Sequence, residues 1–199
     1  MQREDWDARY AWVDDLWGDA NRFLVAEVVE LEPGRALDLA CGQGRNAIWL
    51  AARGWEVTGV DFSEVAVAKA LARAERDALP ATFVCADLLD YEPDVGAFDL
   101  VLLLYLHVPV SERRQILVKA ASAVRPGGTF VLVGHDLTNM TDGVGGPSDA
   151  ALLYTPDQIA GELAGDLEIK KAERVLRDVD GEERDAIDAL VRARRPLSS

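Results

Sequence analysis

The segment Leu37-Asp-Leu-Ala-Cys-Gly-Gln-Gly-Arg-Asn-Ala-Ile48 holds Gly42 and Gly44 where an apolar strand pattern gives way to a helical one. Glycine in such a turn permits positive φ and close backbone approach to a ligand. The helix that follows offers unpaired N–H groups at its start. Asp61 closes the next apolar segment, 19 residues after Gly42. A carboxylate there can accept both hydroxyls of a ribose. Asp87, within Ala86-Asp87-Leu88, follows a third strand pattern and could accept from an adenine amino group. Together these residues suit a nucleoside-bearing cofactor.

Two cofactor chemistries compete for this pattern. Gly42-x-Gly44-x-x-Ala47 satisfies the dinucleotide fingerprint, whose last position accepts alanine, so an NAD(P)-dependent oxidoreductase is one reading. Three details favour another. Asp38 lies inside the first strand, where a negative charge suits a cationic amino-acid group better than a pyrophosphate. Arg45 and Asn46 take the place of small residues that would admit pyrophosphate. Asp87 completes an adenine reader. A non-catalytic cofactor-binding protein would carry the same motifs without turnover.

His107 and His135 are the only histidines, and each falls just past a strand pattern, at the edge where a second reactant would sit. His107 is the candidate catalytic group, able to orient or deprotonate an acceptor, with His135 second. Tyr105 is a candidate pocket wall. No metal site is expected, because two histidines without a nearby carboxylate or cysteine pattern are insufficient. Cys41 reads as small packing behind the cofactor and Cys85 as buried strand packing. Neither a Gly-x-Ser-x-Gly elbow nor a phosphate-loop Gly-Lys-Ser/Thr occurs.

The elements that must carry these residues alternate. Strand patterns at 36–40, 56–60, 82–85, 98–104 and 129–133 are separated by helical patterns at 44–53, 63–78 and 111–124. Ser63 and Ser111 are the expected helix caps. Such alternation means α/β units and a mainly parallel sheet. Residues 1–32 read as one or two acidic helices with nine carboxylates, three arginines, and Trp6, Trp12 and Trp17. They form an expected helical lid over a unit spanning 33–199. Residues 137–153 make a long polar loop, a candidate lid on the acceptor side. Thr155 and Pro156 open a short helix. Two strands at 167–179 and 184–194, joined at Asp180-Gly181, are expected to pair as a hairpin.

The whole chain sets bounds. Of 199 residues, 21 are Lys or Arg and 35 are Asp or Glu, so the net charge is −14. Nucleic-acid acceptors are disfavoured, because phosphate binding needs clustered basic charge. Anionic membranes are disfavoured likewise. The 49% hydrophobic and 28% charged residues are globular composition. With no signal-peptide pattern, no apolar run of membrane length and two cysteines, the expectation is a cytoplasmic protein, monomeric or homodimeric.

In combination, Leu-Asp-Leu-Ala-Cys-Gly-Gln-Gly-Arg-Asn, Val-Thr-Gly-Val-Asp61-Phe-Ser, Ala86-Asp87-Leu88, Phe98-Asp-Leu-Val and Arg125-Pro-Gly-Gly resemble the class I S-adenosylmethionine-dependent methyltransferases. The pattern is most similar to the tellurite-resistance and thiopurine-type branch, which acts on small molecules. The resemblance implies a single Rossmann-like α/β domain with a seven-stranded sheet of order 3-2-1-4-5-7-6, strand 7 antiparallel. It also implies S-adenosylmethionine as cofactor, S-adenosylhomocysteine as product, and a small-molecule methyl acceptor. Asp38 would support the methionine amino group, and Gly42 and Gly44 would admit the cofactor. Asp61 would hold the ribose and Phe62 would pack on adenine, with Ser63 beside them. Asp87 and the Leu88 backbone would read the adenine edge. Leu103 and Leu104 would line the methionine chain. Arg45 and Asn46 flank the turn. Ala40 stands where the family often has glycine, at no expected cost. Trp17, Asn21 and Arg22 occupy a segment that folds over the cofactor in similar enzymes.

Overall fold

The apolar run at 98–104 forms one central strand, β4 (Phe98–Leu104), in the computed structural model, which describes residues 3–12 and 18–197. Its side chains alternate between two cores. Leu100, Leu102 and Leu104 enter one, and Val101 and Leu103 enter the other. Burial on both faces is what a continuous apolar run in a parallel sheet requires.

The first core lies under α2 (Arg22–Val28), α3 (Arg45–Ala51) and α4 (Glu64–Arg76), through Leu24, Leu50 and Ala70 among others. The second lies under α5 (Val110–Ala123) and α7 (Pro156–Leu163), through Leu117, Ile159 and Leu163. Between the two helical layers run β1 (Arg35–Leu39), β2 (Glu56–Asp61), β3 (Ala81–Cys85), β4, β5 (Val124–His135), β6 (Glu168–Arg177) and β7 (Ala186–Arg194). Their order is β3-β2-β1-β4-β5-β7-β6, with β7 antiparallel to both neighbours. The chain builds outward from β1 to β3, then crosses to β4 on β1's other side. The carboxyl ends of β1 and β4 are thus the point where the strand order reverses, which is where ligands bind in sheets of this kind.

Helix α1 (Arg3–Trp12) precedes this frame, and α6 (Asn139–Asp142) and a single 3₁₀ turn (Ala150–Leu152) punctuate the long polar loop. That loop is held in place. Asn139 accepts from the Ile187 amide at 2.7 Å and donates to the Val144 and Gly145 carbonyls. Ser63 caps α4 as expected, accepting from Ala66 N at 3.1 Å, and Thr155 and Gln158 form a capping box on α7.

Three local expectations change. The strands β6 and β7 are shorter than the expected 167–179 and 184–194, although Asp180-Gly181 turns between them as expected, with Glu182 N donating to the Val179 carbonyl at 3.0 Å. They part at Arg177 and Ala186, and 178–185 loop out. Pro109, not Ser111, occupies the α5 cap, with no side-chain cap bond. Cys85 is exposed rather than buried, because β3 is the sheet's edge.

Candidate functional site

Three left-handed residues follow β1: Ala40 (φ 59°), Gly42 (φ 55°) and Gly44 (φ 77°). A side chain at Gly42 would meet the Tyr10 hydroxyl at 2.8 Å, and one at Gly44 would meet Ala70 and Phe83 at 3.0 Å. Glycine is thus required at both for conformation and for space. Ala40 adopts the same backbone region without glycine's freedom. An L-residue there costs roughly 1–2 kcal/mol, so the substitution is not free, as the sequence had suggested. Gly44 N-caps α3 with no side-chain bond, and Arg45 and Asn46 form the first turn.

Asp38 lies in β1 within one residue of this turn and is fully buried. Neither carboxylate oxygen has a hydrogen-bond partner among the described residues. Burial pushes its pKa up to about 7, against the pull of Arg45 and the Ala47 amide and with the push of Asp61. An ammonium group is the ligand such a carboxylate lacks.

Asp61 ends β2 and ties the turn together. It accepts from Gly42 N at 2.8 Å and from Ser63 N at 3.0 Å. Burial raises its pKa, those amides oppose the rise, and nearby Asp7 adds to it. A carboxylate has about four acceptor positions, so two amides leave room for a ribose diol. Phe62 is half-buried beside it. Asp87 accepts from Leu89 N at 2.9 Å, holding the loop after β3, and Leu88 is buried.

Helix α1 sits over this end of the sheet. Asp7 accepts from the Ser63 hydroxyl, and the Tyr10 carbonyl accepts from Lys69 at 2.8 Å. Trp17, expected in the same cover, lies outside the described residues. The two most pronounced cavities lie elsewhere. One, about 600 Å³, runs between α5 and α7, and the other, about 330 Å³, lies along 139–148.

On the other side of the crevice, Leu103 and Leu104 are buried at the end of β4. Tyr105 follows with φ 56°. A bulky side chain in that region carries strain on the order of 1–3 kcal/mol, which persists only when the surroundings hold it. They do so through its hydroxyl, which donates to Asp188 Oδ2 at 2.7 Å and accepts from Asn21 Nδ2 at 3.2 Å. Asn21 in turn donates its amide to Asn46 Oδ1 at 2.9 Å and caps α2. Asp188, fully buried, also accepts from Arg177 Nε at 2.8 Å. Burial alone would raise its pKa; its contacts with His135, Arg177 and Tyr105 outweigh that and hold it low. One polar chain thus links the glycine-turn helix to the last strands.

Both histidines join this cluster. Their rings stack at 5.3 Å, and His107 also stacks on Tyr154 at 5.8 Å. Sequence reasoning did not find Asp188, Arg177, Tyr154 or Asp7. A signal existed for Asp188, a lone charge in the apolar alternation Ala-Ile-Asp-Ala-Leu-Val. Asp7 had none, being one carboxylate among nine in residues 1–32.

The sheet order, the glycine turn and an aspartate ending β2 make up a Rossmann-like α/β domain. Residues 36–128 match the family described as methyltransferase domain. An uncharacterized methyltransferase of Synechocystis sp. is 35% identical over 64% of this chain and 65% of its own. A ribosomal RNA small subunit methyltransferase C of Alcanivorax borkumensis is 32% identical over 52% of this chain and 33% of its own. This chain therefore spans between a third and two thirds of the length of these curated relatives. A solved structure concerned with conversion of a disulfide bond into a thioacetal group during echinomycin biosynthesis superposes with a TM-score of 0.77, at 26% identity, over 100% of this chain and 94% of that one. Over residues 36–128, a little under half of its length, this chain is similar to the methyltransferase-domain family, and over its whole length it shares the fold of the solved structure above.

Proposed function

We propose that this protein transfers a methyl group from S-adenosylmethionine to a small-molecule acceptor. The observation that carries the reading is Asp38, a buried carboxylate with two unpartnered oxygens beside the glycine turn. It suits the methionine ammonium. Asp61 takes the ribose diol, Phe62 covers the adenine, and Asp87 with the Leu88 backbone meets its edge. Gly42, Gly44 and Ala40 shape the turn, with Ser63, Arg45 and Asn46 around it. Leu103 and Leu104 flank the methionine chain. Residues 1–32 act as a lid over 33–199. Two free cysteines fit a reducing cytoplasm.

Methyl transfer from a sulfonium is an in-line displacement whose leaving group is a neutral thioether. It needs no acid. The chain's task is to hold the acceptor in line with the methyl group and exclude water. Tyr105, His107 and His135 form the wall on the acceptor side. The net charge of −14 favours a small molecule over a polyanion.

Calorimetric titration tests the cofactor. S-adenosylhomocysteine should bind and NAD or NADP should not. Asp61→Ala should lower that affinity by about 10- to 100-fold, since a hydrogen bond to a charged acceptor contributes roughly 1.5–3 kcal/mol. Stabilisation by a nicotinamide cofactor alone would sink the reading.

A further inference from the structure

Helix α5 brings two arginines against one carboxylate of α7. Arg113 is buried, and its Nε and Nη2 donate to Glu162 at 3.1 and 2.9 Å. Arg114 is exposed, and its Nε donates to the same carboxylate at 3.2 Å. Burial alone would raise the Glu162 pKa; its bonds to Arg113 and Arg114 outweigh that and hold it low. One ionised carboxylate thus serves two guanidiniums, and the three side chains together carry one positive charge in excess. Arg113 Nη1 makes no hydrogen bond among the described residues, yet it is not sealed from solvent. Neither Nη nitrogen of Arg114 makes one either.

These side chains border the cavity of about 600 Å³ between α5 and α7, a volume in the range of small-molecule sites. Val110, Arg114 and Val118 are spaced four residues apart on one face of α5, so the cation lies between two exposed valines. Helix α7 contributes Gly161 to the same cavity, and a Cβ there would meet no atom within 4 Å. Glycine is a poor helix residue, and neither a close contact nor a positive φ calls for it at this position. Its effect is to leave the cavity open. The remaining charge at the border is Asp157, in the first turn of α7, which pairs with neither arginine among the described residues.

We propose that this cavity binds an organic carboxylate with an apolar body, at a site separate from the ends of β1 and β4. The ligand's carboxylate accepts from Arg113 Nη1 and from Arg114, so that two guanidiniums are matched by two carboxylates. Its body lies along Val110 and Val118, in the space that Gly161 leaves. The Arg113 guanidinium also stands 5.3 Å from the centroid of the Tyr154 ring, which stacks on His107 at 5.8 Å. The bound carboxylate is therefore one ring away from the His107 wall. Nothing in the proposal depends on the methyl-transfer reading.

Calorimetric titration of the full chain with 4-phenylbutanoate tests it. One equivalent should bind with a Kd of about 1 mM or tighter. The neutral 4-phenylbutanamide should bind at least about tenfold more weakly, because it lacks the charge that the guanidiniums match. Arg114→Gln, at an exposed position, should lower the affinity for the acid by about 3- to 10-fold. Gly161→Leu should fill the cavity and abolish binding. Gly161→Ala should keep binding and raise the melting temperature by about a few degrees. No binding of the acid by the wild type at about 10 mM, equal affinity for acid and amide, or undiminished binding by a cooperatively melting Gly161→Leu overturns the proposal. If Gly161→Leu does not fold, Arg114→Gln decides, and unchanged affinity for the acid overturns the proposal.

Discussion

Asp38 ties the stability of the fold to pH. Its folded pKa, about 7, lies above the ordinary 3.8. The folded chain therefore keeps a proton that the unfolded chain releases. The resulting stabilisation is complete below the ordinary value and is lost as pH rises through about 7. By pH 8 the ionised, unpartnered carboxylate costs on the order of 4 kcal/mol for a shift of this size. Asp38→Asn should thus stabilise the ligand-free protein against urea at pH 8 and by less than half as much at pH 5, where the cost is about 1.6 kcal/mol. The same change should abolish S-adenosylhomocysteine binding. An equal gain at both pH values would contradict the account. The cofactor-side carboxylates were legible in the sequence because each sits at or near the end of an apolar strand. The acceptor side was legible only in part. Tyr105 and both histidines were singled out, but Asp188 comes from a strand about 80 residues away, and no local spacing announces that meeting.

At the level of elements, α1 covers the glycine turn. Tyr10 is its one buried residue among those described, and its links are Asp7 to Ser63 and the Tyr10 carbonyl to Lys69. Asp7 also places a second carboxylate near Asp61. A helix with a single buried residue among those described belongs to the low-stability end of a fold. Removing residues 1–20 should speed S-adenosylhomocysteine release by about tenfold or more, as expected for a lid. Ligand-free unfolding should shift by only a few degrees, roughly what a loss near 1 kcal/mol produces. Stopped-flow release at the wild-type rate would exclude α1 as a lid. Element boundaries followed pattern strength. The limits of β4 were read correctly from one apolar run, and Thr155-Pro156 marked α7 through its cap. The turn between β6 and β7 falls at Asp180-Gly181 as read, and only the strand limits were drawn too close to it.

For the whole molecule, charge decides which acceptors can approach. At −14 the surface repels a polyphosphate backbone at long range. One relative named above is a ribosomal RNA methyltransferase, so the point is open to test. Filter binding with a ribosomal RNA fragment at low salt should show no retention. Retention that weakens steeply with added salt would instead reveal phosphate contacts and redirect the search for an acceptor. The strand order itself was reached through family resemblance. Periodicity alone indicated only alternating strands and helices, since it carries no information on which strands become neighbours.

The insertion of β7 between β5 and β6 has a consequence for the timing of assembly. Chain synthesis delivers the glycine turn, the three cofactor-side aspartates and both histidines before residue 140. Asp188 arrives only with the strand that fills the gap between β5 and β6. A nascent chain that has reached residue 185 still lacks the carboxylate that anchors the Tyr105 hydroxyl. The polar cluster around Tyr105 is therefore among the last parts of the protein to become whole, and a growing chain cannot assemble it early.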